Sequence, residues 1–249
     1  MLGLGIAVLA SPAVAETTPC RNVMHEGTAF TICEVDLRKQ SVRLFLRRPD
    51  GEIYGRLSAL PAALPGAGKP TGAPPDRLQF AMNAGMYHAD LNPVGLYVEA
   101  GREVTPANTR KGPGNFHLKP NGIFHVTDRT AGVMETAAFL KARPKVEYAT
   151  QSGPMLVING RLHPKFSASG ESRKLRNGVG VRDPNTVVFA ISEGEVSFGS
   201  FGRLFLTALK CPNALFLDGS VSTLYAPSLN RGSNFFPLGP LLGVYAHGG

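Results

Sequence analysis

The sequence lacks several features that mark common protein classes. After the N-terminal segment, glycine, proline or charge interrupts every apolar stretch, so no segment is long enough to span a bilayer. The basic residues form no dense stripe with interleaved aromatics, which argues against a nucleic-acid partner. We assign no metal and no other cofactor, because no metal-ligand spacing connects the histidines at positions 88, 117, 125 and 163.

Charged residues are also scarce, at 18% of the chain against 43% hydrophobic residues. This composition supplies enough apolar mass for a sizeable core and excludes global disorder. A length of 249 residues fits one large domain, although two are possible. The net charge of +8 is spread over small groups of Lys and Arg. These groups indicate either a solvated basic surface or attraction to an anionic substrate or an anionic envelope surface.

The first fifteen residues resemble the end of an export signal. An apolar run over residues 2–9 precedes Ala13-Val14-Ala15, which has the small-x-small form that signal peptidase recognises, although the usual positive n-region is missing. We therefore expect a mature chain that begins near Glu16, with residues 16–249 as a single domain. The expected location is the periplasm or the extracellular space, and the oligomeric state stays open.

Three cysteines are present. In an exported protein Cys20 and Cys33 can form a disulfide, since they are close in sequence and a turn can bring them together. Cys211 is then left over and is predicted to be a buried thiol at the end of a helix. No histidine is near it in sequence, which argues against a nucleophile.

Short alternating or apolar segments predict many strands and few helices. The predicted strands are 28–37 with 41–47 as its hairpin partner, 186–191 with 195–198 returning beside it, and 214–217. Asn-Gly pairs at 121–122, 159–160 and 177–178 each suit a type I′ hairpin turn, and the proline- and glycine-rich residues 61–76 predict a surface loop. Helices are predicted over 131–142 and over 200–210, the second capped by Ser200. The fold class is α+β, with a mixed or antiparallel sheet.

Polar groups and glycines follow apolar strands in four segments, around residues 80–87, 148–155, 172–181 and 215–223. Glycine allows a ligand to approach the backbone, and loops at strand ends commonly carry function. Each segment alone is also consistent with a tight turn closed by Asx or Ser hydrogen bonds. Asp218 is the acid most suggestive of function, because an apolar strand leads it into glycine and small hydroxyls.

Together the four segments resemble the phosphodiester glycosidase family. The matching motifs, in order, are Asn83-Ala84-Gly85, Gly153-Pro154-Met155-Leu156-Val157, Arg176-Asn177-Gly178-Val179-Gly180 and Asp218-Gly219-Ser220-Val221-Ser222. The resemblance covers about residues 78–246. Ala84, Ser220 and Val221 replace family glycines and narrow the loops, so this chain resembles a divergent exported branch of the family.

The resemblance implies a site at the four motifs, with three catalytic candidates. Asp218 is the candidate nucleophile or base, Arg176 the candidate phosphate ligand through its planar fork, and Asn83 a ligand for sugar hydroxyls or an acetamido group. Further substrate-binding candidates are Gly85, Gln151, Ser152, Gly153, Gly219 and Ser222, with His88 as a reserve general acid.

The implied function is hydrolysis of the glycosidic bond of a sugar-1-phosphodiester in an envelope or extracellular glycan. Three alternatives stay open: a non-catalytic envelope glycan-binding protein, a phosphodiesterase that cuts P–O, and a structural envelope protein without a ligand. The expected partner is a sugar phosphodiester or an anionic glycan.

Overall fold

The fold is built almost entirely from strands. A computed structural model describes residues 19–66, 72–166, 172–219, 221–232 and 236–248. The strands are β1 (Cys20–His25), β2 (Thr28–Asp36), β3 (Gln40–Phe45), β4 (Ala63–Leu64), β5 (Asp76–Asn83), β6 (Tyr97–Glu99), β7 (Arg102–Thr105), β8 (Gly122–Val126), β9 (Ala131–Glu135), β10 (Tyr148–Ser152), β11 (Met155–Ile158), β12 (Arg161–Leu162), β13 (Asn177–Asp183), β14 (Thr186–Ser192), β15 (Asn213–Asp218), β16 (Leu224–Tyr225) and β17 (Leu241–Ala246). The α-helices are α1 (Thr136–Ala142) and α2 (Phe198–Arg203), and a π-helical turn (Leu204–Ala208) continues α2.

The strands form three sheets. The largest has the order β1-β2-β14-β13-β15-β11-β12, the second β7-β6-β10-β8-β9, and the third β16-β5-β17-β3, with β4 also paired to β5. Every pairing between these strands is antiparallel. The predicted α+β class, with antiparallel sheets and few helices, is therefore confirmed.

The largest sheet packs through both of its faces, and β13 shows how the sequence allows this. Successive strand side chains point to opposite faces, so Val179 and Val181 enter the core that the three sheets share. On the other face Gly178 and Gly180 leave room for the helical segment: a Cβ on Gly178 would lie 3.1 Å from Phe201, and one on Gly180 2.7 Å from Phe205. The alternation of valine and glycine thus sets how closely α2 approaches the sheet.

The shared core contains aromatic contacts that connect all three sheets. Phe189 of the largest sheet contacts Phe80 of the third sheet at a centroid distance of 5.7 Å and Phe124 of the second at 5.8 Å, both edge to face. Such contacts add stability beyond the burial of apolar area. The ends of the sheets are consequently held in fixed relation, which positions the polar loops described below.

Several predicted strands and turns are confirmed, and others are wrong. The strands at 186–191 and 214–217 are present as β14 and β15, and Asn159-Gly160 turns between β11 and β12 with φ angles of +46° and +76°. The other two Asn-Gly pairs are not turns, because Gly122 opens β8 and residues 177–178 open β13. Residues 195–198 do not return beside β14, since Val196 forms an isolated bridge with Lys174 and Phe198 begins α2.

The predicted hairpin of 28–37 with 41–47 is also wrong. Both strands exist, but β2 is flanked by β1 and β14, while β3 pairs with β17 in another sheet. Likewise residues 131–135 form β9 against β8, with Ala131 and Val133 turned into the core, so the helix begins only at Thr136. In each case long-range strand pairing overrides the local pattern.

Five further predictions concern the disulfide, the third cysteine, a helix cap, the export signal and a loop. Cys20 and Cys33 form a disulfide between β1 and β2, as predicted, and Cys211 is a buried free thiol. Ser200 does not cap α2; its N–H instead donates to the Ser197 side chain, at 3.1 Å, so Ser197 is the cap. The proposed export signal lies outside the described residues, as do residues 67–71 of the loop predicted at 61–76.

Candidate active site

Three strand ends meet at a network of two amides and one carboxylate. Asn83 closes β5, Asn177 opens β13 and Asp218 closes β15. Asn177 and Asp218 are cross-strand partners, and the register shifts directly after them so that Gly178 faces Phe216. This bulge leaves Leu217 as an extra residue, and bulges of this kind re-aim side chains at sheet ends.

The two asparagines hold each other and orient the carboxylate. The side-chain N–H2 of Asn177 donates to both the backbone carbonyl and Oδ1 of Asn83, at 2.9 and 3.0 Å. Oδ1 of Asn177 accepts the backbone N–H of Asp218 at 2.9 Å, and Nδ2 of Asn83 donates to Oδ2 of Asp218 at 3.3 Å. Both asparagines are fully buried, so these bonds are formed away from bulk water.

The loop after Asp218 is folded back onto the same network. The Gly219 N–H donates to Oδ1 of Asp218 at 2.6 Å, and Ser222 Oγ donates to the Asp218 carbonyl at 2.9 Å. Thr223 donates its backbone N–H to Oδ1 of Asn83 at 2.9 Å. Each oxygen of the carboxylate therefore receives one hydrogen bond, and backbone and side-chain donors together fix its direction.

Burial shifts the titration of the site. The pKa of Asp218 is raised from 3.8 to about 6 because the surrounding protein disfavours the ionised form, although hydrogen bonds from Gly219 and Asn83 oppose this. The Tyr87 pKa is raised to about 12, first by burial and then by the nearby charge of Asp218. A carboxyl that titrates near neutral pH inside a polar strand-end cluster is typical of functional sites.

Arg176 is brought to the opposite face of the sheet from Asn177. Its side chain is fully buried, with the guanidinium carbon 3.6 Å from the Phe198 ring centre. Its Nε donates to the Val196 carbonyl at 2.9 Å and its Nη2 to the Ser172 carbonyl at 2.8 Å, while Nη1 has no partner among the described residues. Desolvation lowers the Arg176 pKa to about 10. That Arg176 binds phosphate stays a prediction.

Two further candidates have their polar groups engaged by the protein itself. Oε1 of Gln151 accepts the backbone N–H groups of Leu96 and Asn108, at 2.9 and 2.8 Å, and its Nε2 donates to the Asn108 carbonyl at 2.8 Å. Ser152 Oγ donates to the Leu217 carbonyl at 2.7 Å, one residue before Asp218. In this structure both side chains support the framework of the site.

The candidate glycines and His88 differ in how near they are to the network. A Cβ on Gly85 would lie 2.6 Å from the Gln151 carbonyl, and one on Gly153 would lie 2.6 Å from Asn121, so both positions require close packing of backbone. Gly219 is in the network, with Phe216 only in ordinary contact range. His88 is exposed, and its backbone N–H donates to Asn92.

The structure adds three residues that the sequence did not single out: Asn177, Thr223 and Tyr87. Asn177 stood in one of the family-like motifs, but its Asn-Gly pair resembled a turn. Thr223 takes part only through its backbone N–H, for which the sequence carries no signal. Among the described residues, no group of three or more His, Cys, Asp or Glu is placed to hold a metal ion. Neither helix in the described ranges has the length and apolar character to span a bilayer.

Comparison with known proteins identifies the family. The family model described as phosphodiester glycosidase matches residues 76–245. An uncharacterized Escherichia coli K12 protein, YigE, is 34% identical over 191 residues, which are 77% of this chain and 72% of that protein.

Two solved structures share the fold. The zebrafish N-acetylglucosamine-1-phosphodiester alpha-N-acetylglucosaminidase catalytic domain, auto-inhibited by its pro-peptide, superposes with a TM-score of 0.57 at 14% identity, covering 96% of this chain and 87% of that one. A hypothetical protein from Synechocystis has a TM-score of 0.50 at 14% identity; the match covers 92% of this chain but only 61% of that longer protein. The chain belongs to the phosphodiester glycosidase family, a family of hydrolases.

Proposed function

We propose that this protein hydrolyses the bond between a sugar and the phosphate of a sugar-1-phosphodiester, in an envelope or extracellular glycan. The observation that carries the proposal is the Asp218 carboxylate, aimed by Asn83 and Asn177 at the end of three strands. Its raised pKa, of about 6, keeps a carboxylate available at neutral pH that is more basic than an exposed aspartate.

The chemistry of the substrate fits a site with one such carboxylate. A phosphodiester is a weakly basic leaving group, so its departure needs little help from a general acid. This relaxes the usual requirement for two carboxyl groups that flank a glycosidic bond. Asp218 acts as the nucleophile at the anomeric carbon or as the base for the attacking water. The developing positive charge on the sugar ring is stabilised by the same carboxylate.

The neighbouring polar groups supply orientation. Oδ2 of Asp218 is held by a single long hydrogen bond from Asn83, at 3.3 Å, whereas Oδ1 is held tightly by Gly219. Oδ2 is therefore the oxygen we assign to the reaction. Asn83 Nδ2, which donates to Oδ2, and Ser222 Oγ, which donates to the Asp218 carbonyl, are the side-chain groups we assign to a sugar hydroxyl or a phosphate oxygen.

An extracytoplasmic location is part of the proposal. The Cys20–Cys33 disulfide joins the first two strands of the described chain. Disulfides form and persist in oxidising compartments such as the periplasm and the extracellular space. The small-x-small motif at Ala13-Val14-Ala15 supports the same location.

The first test follows sugar release from an α-N-acetylglucosaminyl phosphodiester and from UDP-linked N-acetylglucosamine. We expect release by the parent to rise with pH through about 6, as Asp218 ionises. Asp218→Asn keeps the shape and removes the charge, so we expect release to fall by roughly 10³-fold or more. Asp128→Asn is the matched control, since Asp128 is exposed and pairs only with its neighbour Arg129 in the described structure.

Three results would contradict the proposal. Equal release by the parent and Asp218→Asn would remove the carboxylate from the mechanism. Hydrolysis in water labelled with heavy oxygen would place the label on phosphate, and not on the sugar, if the protein were a phosphodiesterase that cuts P–O. Binding of the diester without release of either product would identify a glycan-binding protein.

A further inference from the structure

A cavity of about 530 Å³ opens beside β3 and is lined by three arginines, Arg47, Arg48 and Arg56. Two acids, Glu52 and Asp90, share the lining. A planar guanidinium can bind two phosphate oxygens at once, and several converging on one concave surface make an anion site. The cavity can bind an anion only if its arginines are not already paired with the nearby acids.

The arginines are held in place without acidic partners. Arg47 donates from Nη1 to the Gly51 carbonyl and from Nη2 to Oδ1 of Asn92, both at 3.0 Å. The Arg48 guanidinium lies 5.7 Å from the ring centre of Tyr54. Within the described residues neither arginine forms an ion pair, nor does Arg56, whereas arginines elsewhere on the surface do.

One acid of the cavity, Asp90, is directed away from the arginines, while Glu52 stays in the lining. Oδ1 of Asp90 accepts the backbone N–H of Asn92 and Oδ2 accepts its side-chain N–H2, each at 3.0 Å. These bonds lower the Asp90 pKa, so the group stays ionised, but its oxygens are already directed at Asn92. Arg47 and Asp90 thus share Asn92 as an intermediary and do not pair directly. The cavity keeps guanidinium groups that are oriented and available.

A short segment connects this cavity to the candidate active site. Pro237 lines the cavity, and three residues later the Pro240 carbonyl accepts the Ala84 N–H, at 2.9 Å, beside Asn83. Three residues span at most about 10 Å. Tyr87 is near both, since its hydroxyl donates to the Pro237 carbonyl at 3.4 Å and its pKa is raised first by burial and then by the charge of Asp218. The cavity and the candidate active site are therefore neighbours in the fold, joined by residues 237–240 and by Tyr87.

We propose that this cavity binds a second phosphate group, carried on the alcohol side of the sugar phosphodiester that Asp218 cleaves. The inference rests on the proposed function, because it assigns a substrate class to that site. The preferred substrates are then phosphodiesters whose alcohol carries a further phosphate, such as a glycerol phosphate unit. Before cleavage the first phosphate is joined to the anomeric carbon beside Asp218, and the second is bound by Arg47 and Arg48; after cleavage both leave with the alcohol.

The kinetic test compares two diesters of N-acetylglucosamine 1-phosphate, one to glycerol and one to glycerol 3-phosphate. We expect kcat/KM of the parent to favour the second substrate by about tenfold, a range typical of charge-assisted contacts. In Arg47→Gln/Arg48→Gln that ratio should fall to near one. The control Arg21→Gln/Arg102→Gln removes the same charge at exposed positions outside the cavity, and should keep the parental ratio. A ratio near one in the parent, or a parental ratio in the Arg47/Arg48 variant, overturns the proposal.

A binding test separates this inference from the proposed function. Tripolyphosphate is titrated calorimetrically into the Asp218→Asn protein, which should bind it, and into the same protein with Arg47→Gln/Arg48→Gln, which should bind at least tenfold more weakly. Equal binding by the two proteins contradicts the cavity assignment even if sugar release succeeds. Loss of binding with no sugar release from any substrate keeps the anion site and removes the glycosidase activity.

Discussion

Arg176 and Asn177 are consecutive in the chain but lie in two different environments. Asn177 points to Asn83 and Asp218 among polar groups at a strand end, while Arg176 points to the other face and stacks on Phe198. Burial acts on both faces by disfavouring charge. On the first it raises the pKa of an acid, Asp218, to about 6, and on the second it lowers the pKa of a base, Arg176, to about 10.

The two pKa shifts have different consequences for Asp218 and Arg176. Asp218 titrates within the physiological range and has Oδ2 loosely held, so its charge can be used in a reaction. Arg176 stays charged at neutral pH, and two of its three nitrogens are bound to backbone carbonyls. We infer that the Asn177 face carries the chemistry and that the Arg176 face holds the loop before β13 in place.

The largest effect that can test this comparison is expected from Asn177→Ala. The substitution removes the acceptor for the Asp218 N–H and both donors to Asn83, so the carboxylate loses its orientation. We expect kcat/KM for sugar release to fall by about 10²-fold, the scale seen when a reacting group is misplaced. Asn185→Ala, in the turn between β13 and β14 and with no bond to the network, is the control. Near-parental activity in a folded Asn177→Ala protein would mean that the network is structural only.

A smaller effect, on stability, is expected from Arg176→Lys. Lysine cannot reproduce the bonds from Nε to Val196 and from Nη2 to Ser172 together with stacking on Phe198. We expect the free energy of unfolding to fall by about 2 kcal/mol, since two buried hydrogen bonds and a cation–π contact are weakened. Denaturant titration beside the exposed control Arg161→Lys measures this.

Activity of the same variant reveals whether Arg176 also touches substrate. Under conditions where Arg176→Lys is fully folded, a role in the framework leaves KM for the diester close to the parental value. A KM raised by tenfold or more would instead favour the phosphate contact that the sequence predicts for Arg176. Arg176 would then be assigned to substrate binding and not only to support of the loop before β13.

Much of the site could be predicted because strand ends leave a local signal. Asp218 follows a run of apolar residues and precedes glycine, and Asn83 closes a similar run, so both were identified as candidates. Their contact could not be derived locally, since 135 residues separate them and only sheet pairing brings them together. The ordered set of four motifs replaced that missing information, because a family resemblance carries the long-range arrangement with it.

The wrong predictions of secondary structure also arise because long-range strand pairing leaves no local signal. Residues 131–135 contain good helix formers, yet they pair with β8, and the residues of β3 alternate as a hairpin partner would, yet they pair with β17. The difference in local propensity between helix and strand is smaller than the free energy gained when a strand completes a sheet over a buried core. The direction of the Arg176 side chain was similarly beyond the sequence, because a bulge and the strand register decide which face each residue of the motif occupies.

The smallest expected effect is a pH dependence of stability on the Asn177 face. Because the folded-state pKa of Asp218, about 6, exceeds its ordinary value of 3.8, folding disfavours ionisation of this group. This free-energy penalty is absent below pH 3.8, grows between the two pKa values and is complete above pH 6.

Relative to Asp218→Asn, the parent should therefore lose on the order of 1 kcal/mol of stability between pH 4 and pH 7, after allowance for solvent at the site. Unfolding measured across this range for both proteins gives the difference. A parent that instead gains stability relative to the variant would show that hydrogen bonds from Gly219 and Asn83 outweigh burial and lower the Asp218 pKa below its ordinary value.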